Sequence, residues 1–392
     1  MALQPYKGAM TAQFYVLETT PGVTPANPVW QPLRNTGGIP AVTRDALISN
    51  ELDGSRETSS IRTGNRQVTG EYAIELSAES QDELLAGAMT SSWVAGSTKS
   101  GISVTVDPMV KTFTRTNGSF ETDGVEVGDL VQFYGLSGNN DKAFMVTAVT
   151  ATVITGAGIQ HTLTAESDAQ ADLRIADKLE TGNLCKTYSI LTWLKGKCGN
   201  PDSYIVTRGV EFTGFTIEQA VNAMVTGSFP FIGLNQEILQ APPSGSDFTT
   251  NFSARPFASV DVSAYDGAAP LKLIDTFTIT NDNSASAQFE LGNNSVAFVE
   301  RSRAANTFSL AGKLYDMTLL NKFLDETEME VSSVLDGPDG AMSFTLKRAS
   351  LTSATPEIGG PESITLSLEG QATGNQFQSS IVIQRIQRIK YA

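Results

Sequence analysis

The run YAIELSAESQDELLAGAM (72–89) changes its hydrophobic period part-way along. Tyr72, Ile74 and Leu76 alternate with smaller or charged residues, so a strand here has one apolar face and one carrying Glu71, Ala73 and Glu75. Ser80 then stands as an N-cap, with Asp82 and Glu83 in the first turn, and the spacing predicts a short helix over 81–89. About 235 residues later, FSLAGKLYDMTLLNKFL (308–324) repeats the design. Phe308 and Leu310 alternate, Asp316 follows, and the pair Leu319, Leu320 matches Leu84, Leu85. Both leucine pairs are expected to pack a helix on a sheet.

More of the chain recurs in the same order. SYIVTRGVE (203–211) parallels SFTLKRASL (343–351) at an offset of 140, pairing Arg208 with Arg348. VTGSFPFIG (225–233) parallels ESITLSLEG (362–370) at 137, putting Phe229 and Phe231 on Leu366 and Leu368. Such ordered self-similarity predicts a tandem duplication. The copies differ in one interval: 118 residues separate Leu85 from Ser203, but only 23 separate Leu320 from Ser343. About 95 residues are therefore inserted after the first helix, enough for a small domain. Within 94–184, the runs VEVGDLVQFYGL, AFMVTAVTATVITG and DLRIADKL read as strands separated by turns, which predicts a small β-barrel or sandwich. QAPPSGSD (240–247) reads as the linker between copies. Residues 51–67, rich in Ser, Thr, Gly and Arg, read as a polar arm that either floats or gains order against a partner.

Composition supports a β-rich chain with real cores: 40% of the 392 residues are hydrophobic, and Phe (19) dominates the aromatics. The net charge of −15 disfavours wrapping nucleic acid, which requires clusters of Lys and Arg. It leaves open nucleic acid that passes without sticking. No basic-then-apolar leader is visible and no window approaches 18 consecutive apolar residues, so no membrane role is expected.

Candidate chemistry is sparse. Cys185 and Cys198 with the single His161 are too few for a disulfide scaffold or a four-ligand zinc site, and they read as two thiols and a structural imidazole. A catalytic triad could draw only on His161. There is no phosphate-binding glycine loop and no HExxH. DNS (282–284) and DGPDG (336–340) read as turns, and LDETEME (324–330) as a solvated helix end. The expectation is a non-enzyme with no cofactor and no metal. Duplicated sheets of this kind leave edges that need pairing, and pairing them around an axis closes a barrel.

Two stretches resemble the tail tube proteins of long-tailed, non-contractile bacteriophages. They are LISNELDGSRETSSIRTGNRQVTGEYAIELSAESQDELLAGAMTSSW (47–93) and FTGFTIEQAVNAMVTGSFPFIG (212–233). The resemblance implies a mainly β fold: two tandem β-sandwich or barrel units, each with one short helix, plus the inserted β domain. The units would cover 1–93 with 185–240, and 241–392, with 94–184 inserted and decorating the outside. It further implies trimeric, pseudo-hexameric rings stacked into a virion tube assembled in the host cytoplasm. Tape measure, tail tip and terminator proteins would be partners, and phage DNA would transit without specific binding. Glu71, Glu75 and Glu218 are then candidates for the lumen. Ser55, Arg56, Arg62 and Arg66 are candidates for an arm between subunits. A carbohydrate-binding or fibre-like β-sandwich on a virion surface is the alternative, although Trp30, Trp93 and Trp193 are scattered.

Overall fold

A computed structural model describes residues 5–52, 54, 56–157, 162–197, 200–249 and 254–387. His161, Cys198 and Ser55 lie outside the described residues. The fold is mainly β. The chain opens with β1 (Thr11–Leu17), β2 (Val29–Pro32), β3 (Ala41–Ile48) and β4 (Ile61–Glu75), followed by helix α1 (Asp82–Ala88). Next come β5 (Thr98–Asp107), β6 (Thr112–Arg115), β7 (Leu130–Tyr134), β8 (Phe144–Val149), β9 (Val153–Gly156) and β10 (Glu166–Ile175), which close into a barrel. The chain returns through β11 (Asp177–Glu180), β12 (Tyr188–Leu194), β13 (Ser203–Phe212), β14 (Gly214–Ala220), β15 (Thr226–Gly233) and β16 (Asn235–Leu239). After β17 (Asp247–Phe248) follow β18 (Val262–Asp266), β19 (Ala269–Pro270), β20 (Ile274–Asp282), β21 (Ser286–Phe289), β22 (Val296–Glu300) and β23 (Ala305–Lys313). Helix α2 (Thr318–Leu324), β24 (Met329–Gly337), β25 (Gly340–Glu357), β26 (Thr365–Ala372) and β27 (Ile381–Gln387) complete it.

One pairing pattern is made twice. In the first half, β1–β12–β13–β16 form an outer row and β3–β4–β15–β14 an inner row. In the second, β18–β24–β25–β27 form the outer row, and β20–β23–β26 with the far end of β25 the inner row. Two bulges set the correspondence. The β12–β13 ladder skips between Thr207 and Val210 as β24–β25 skips between Leu346 and Ala349, an offset of 139. Inside these bulges Gly209 and Arg348 both have positive φ, +62° and +48°. A second irregularity falls after Phe212 and after Leu351, again 139 apart. The offsets of 140 and 137 suggested by residue identity are thus corrected: Arg348 corresponds to Gly209, not to Arg208. Side-chain identity followed the wrong residue because Gly209 and Arg348 share the bulge's backbone conformation and not its side-chain chemistry.

Period-2 patterning decides which face is buried. Tyr72, Ile74 and Leu76 of the first half and Phe308 and Leu310 of the second all enter one continuous core, with Phe215, Phe229, Phe231 and Phe344. Helix α1 lies on β13 and β14, and α2 lies on β25. Leu84 and Leu85 are fully buried and Leu319 nearly so, whereas Leu320 is half-buried at the core's margin. The expected Ser80 cap does not form. Ser77 donates its hydroxyl to the Ser80 oxygen at 2.9 Å, and the helix starts after Gln81 with no side-chain cap.

The barrel interior is filled by aromatic rings, with Phe113 stacked between Phe133 and Phe144 at 4.9 and 4.6 Å. Rather than standing free, the barrel docks on the second half. Leu130, Met145 and Ala176 join Tyr265, Val334 and Ile386 in a small apolar cluster. The Leu130 backbone amide donates to the Gln384 side-chain Oε1 at 2.8 Å, and the Gln384 Nε2 donates to the Gly128 backbone carbonyl at 2.7 Å. At its exit, β11 pairs with β27. There Arg385 donates to Asp82 and to Asp177, with its guanidinium 4.3 Å from the Trp93 ring centre. This clasp ties α1, the insertion and the last strand together. The segment read as a linker is also held down: β17 pairs with β2, and the Trp30 indole donates to Ser246 at 2.9 Å.

Burial pushes the Asp82 carboxyl up from an ordinary 3.8 to about 6, against the opposing pull of Arg385. A raised folded-state value means that this group's stabilising contribution is fully present below about 3.8 and lost as pH rises through about 6. Asp82→Asn should therefore remove a pH-dependent component on the order of 2–3 kcal/mol across that window, seen by comparing variant and wild-type urea denaturation at several pH values. In the same assay at neutral pH, Leu85→Ala should cost about 2–5 kcal/mol. The half-buried Leu320→Ala should cost about 1 kcal/mol or less.

Candidate functional site: a polar sheet face and its open edges

Strand β14 pairs with β20 over seven rungs, from Gly214↔Asp282 to Ala220↔Thr276. This junction fuses the two inner rows into a single eight-stranded sheet, β3–β4–β15–β14–β20–β23–β26–β25. Alternation sends Tyr72, Phe229, Ile217, Ile279, Leu310 and Leu368 to the core. The opposite face is polar from edge to edge. One row of partners runs Glu75, Thr226, Glu218, Thr278, Ser309, Glu369, Ser353 across seven strands. Beside it, Ser228, Thr216, Thr280 and Thr307 form a hydroxyl row, with the Thr216 and Thr280 oxygens 3.3 Å apart. Threonine suits such a face because it combines strand propensity with a polar tip.

Acids on this face include Glu71, Glu75, Glu218, Asp282, Glu357 and Glu369, all exposed. Lys313, on the same face, is engaged with Asp275 at 3.2 Å. Glu71, Glu75 and Glu218, named from the sequence, thus share one surface: Glu75 and Glu218 both pair with Thr226, and Glu71 lies opposite Pro230. Glu357 and Glu369 escaped sequence reasoning, although ITLSLEG has the alternation that would have flagged Glu369. Among the described residues no group of three His, Cys, Asp or Glu is placed to hold a metal. No described helix is long and apolar enough to cross a membrane.

The arm differs from its expected form. Residues 61–67 are not a loose segment but the start of β4, laddered to β3 from Ala41↔Thr69 to Ile48↔Ile61. The arm is a projecting β-hairpin, and all eight residues of β3 are exposed. Arg62 is exposed on it, Arg56 lies exposed at its tip, and Arg66 sits at its base, its guanidinium donating to the Asn235 side-chain Oδ1 at 2.8 Å. The second half has an equivalent hairpin, β21–β22, which sequence reasoning missed although its turn GNNS between apolar runs was visible. That hairpin reaches back across the first half: the Arg66 amide donates to the Asn294 carbonyl at 2.8 Å. At its base, Arg301 pairs with Glu211 of β13 at 2.9 Å in a largely buried setting. Burial pushes the Glu211 carboxyl above its ordinary value despite the pull of Arg301. Cys185 is exposed.

Two edges of the eight-stranded sheet are left open among the described residues. Strand β3 pairs only with β4, and residues 353–357 pair only with β26. The sequence model described as phage tail tube protein matches residues 8–372, spanning both halves and the inserted barrel. The chain belongs to the phage tail tube protein family. No curated protein sequence matches the chain. As a member of the tail tube family, it is a structural component of the virion tail that self-assembles into a tube.

The internal junction of this tail tube chain depends on a missing side chain. A Cβ on Gly214 would lie 2.1 Å from the Asn281 carbonyl oxygen. Gly214→Val should therefore weaken the sheet by about 1–3 kcal/mol, read as a fall of several degrees in Tm. Ser353→Val, at the corresponding position on an open edge, should leave the Tm of the unassembled chain within a degree or so of wild type.

Proposed function

We propose that the chain forms trimeric rings that stack into a tail tube, and that the polar face of the eight-stranded sheet lines a channel for phage DNA. The observation that carries this reading is the internal β14–β20 junction, which joins two equivalent four-stranded rows into one continuous sheet. The rows belong to two tube units, 1–93 with 185–240 and 241–392, interrupted by the insertion at 94–184. Eight inner strands from each of three chains make twenty-four, and strands spaced about 4.8 Å apart would then enclose a circle of roughly 37 Å before tilt widens it.

The chemistry of the face suits transit. Glu71, Glu75 and Glu218 repel phosphate, while Thr and Ser present short polar groups that offer no cationic hold. Such a lining lets a polyanion slide, whereas a basic one would adsorb it at low salt. The projecting β3–β4 hairpin, with Arg56 and Arg62, serves as the arm to a neighbouring subunit, as β21–β22 clasps the first half within the chain. The barrel, docked on the outer row, stays clear of the channel. The tube is a structural, non-catalytic element built in the host cytoplasm, with the tape measure protein inside and tip and terminator proteins at its ends.

Negative-stain microscopy of the concentrated protein should show rings or tubes with a central hole, and a compact monomer at every concentration would sink the proposal. Tubes carrying Glu71→Lys, Glu75→Lys and Glu218→Lys together should retain linear duplex DNA at low salt and release it as salt rises. Equal, negligible retention by variant and wild-type tubes would show that this face does not line the channel.

A further inference from the structure

The internal junction is also a template for a junction that the chain leaves open at both ends of its sheet. The offset of 139 set by the two bulges puts Ala354, Pro356 and Ile358 in the places of Phe215, Ile217 and Gln219. On the other edge, Tyr72 faces Phe229 as Leu310 faces Leu368, so β4 corresponds to β23. Ala41 faces Thr69 as Thr280 faces Thr307, so Ala41 takes the place of Thr280. The bridge Gly37↔Ala73 carries that register past the end of β3.

Building on the ring reading, we propose that residues 353–358 of one copy pair antiparallel with residues 38–43 of the next, from Ser353 opposite Thr43 to Ile358 opposite Gly38. The register is inherited from Gly214↔Asp282 and its neighbours in β14–β20. It accounts for two exposed apolar side chains on the core-facing side of the open edges, Val42 at 41% and Ile358 at 75% exposure. Val42 would lie opposite Ala354, as Asn281 lies opposite Phe215, and both would be covered.

The seam is a weakened copy of the internal junction. Where Ile217 faces Ile279 inside the chain, Pro356 would face Pro40, a rung with no amide donor on either strand. The tight approach at Gly214 is not reproduced either, because Ser353 carries a side chain, so the seam opens slightly at that outer rung. These substitutions serve the unassembled subunit. Prolines on an exposed edge discourage pairing with unrelated strands while leaving the flanking rungs available to the correct neighbour.

Disulfide trapping tests the register. In a Cys185→Ser, Cys198→Ser background, Val42→Cys with Ala354→Cys places two thiols on rung partners, whose Cα atoms lie about 4.5–5.5 Å apart and within disulfide reach. Val42→Cys with Thr355→Cys places them on opposite faces of the sheet. Oxidised tubes of the matched pair should run as covalent trimers on a non-reducing denaturing gel, and the shifted pair should run as monomer. Tubes with no cross-link in the matched pair, or with equal cross-linking in both, would overturn the seam while leaving ring formation standing. Failure of the wild-type chain to form any ring would instead overturn the reading beneath it. Should the matched variant not assemble when reduced, amide hydrogen exchange of the wild type decides: Val42 and Ala354, whose amides face the seam as those of Asn281 and Phe215 face the internal junction, must gain protection on assembly, and unchanged exchange rejects the seam.

Discussion

Backbone pairing between β14 and β20 is the constraint on which the rest of the molecule depends. A four-stranded row alone would end in two bare edges, each a line of unsatisfied amides and carbonyls. Joining the rows satisfies one edge of each half and aligns their apolar faces over one core, where Phe215, Ile217, Phe277 and Ile279 meet. The opposite face becomes continuous as a consequence. A polar surface eight strands wide exists only because the junction keeps the alternation in phase across it; a slip of β14 by one residue would bring Phe215 and Ile217 to the exposed side.

The inserted barrel is bound to this sheet by a different kind of interaction. Its own interior is settled by Phe113, Phe120, Phe133 and Phe144. Its placement rests on Gln384, which both accepts from and donates to the barrel backbone, and on Arg385, which bridges Asp82 and Asp177. A buried carboxylate held by a shared guanidinium is costly to desolvate, but it fixes geometry in a way that apolar contact alone does not. The insertion is therefore held at a set position on the outer row, away from the polar face.

The candidate site was legible in part. Glu71 and Glu75 could be placed opposite Tyr72, Ile74 and Leu76 because a strand alternates with period 2, and nothing in the tertiary structure changes that. Glu218 followed from the same rule in FTGFTIEQA. Glu357 and Glu369 share that face only because β25 and β26 are folded onto β23, a long-range fact that no local pattern carries. The arm was misread because high polarity suggests a loop. Residues 61–67 are a strand that lacks a buried side altogether, so the alternation normally used to detect strands is absent.

The sequence by itself determined the β-rich class, the buried face of each strong strand and the two short helices. All of these depend on local periodicity. Tertiary structure decided the rest. Matching bulges at Gly209 and Arg348 mark the correspondence between halves at 139, because the two residues share a backbone conformation that their side chains do not reveal. Which strands become neighbours, where the barrel docks and which edges stay open are set by hydrogen bonds between residues far apart in the chain. Those bonds are made by amides and carbonyls common to nearly every residue, so the letters of the sequence do not distinguish them.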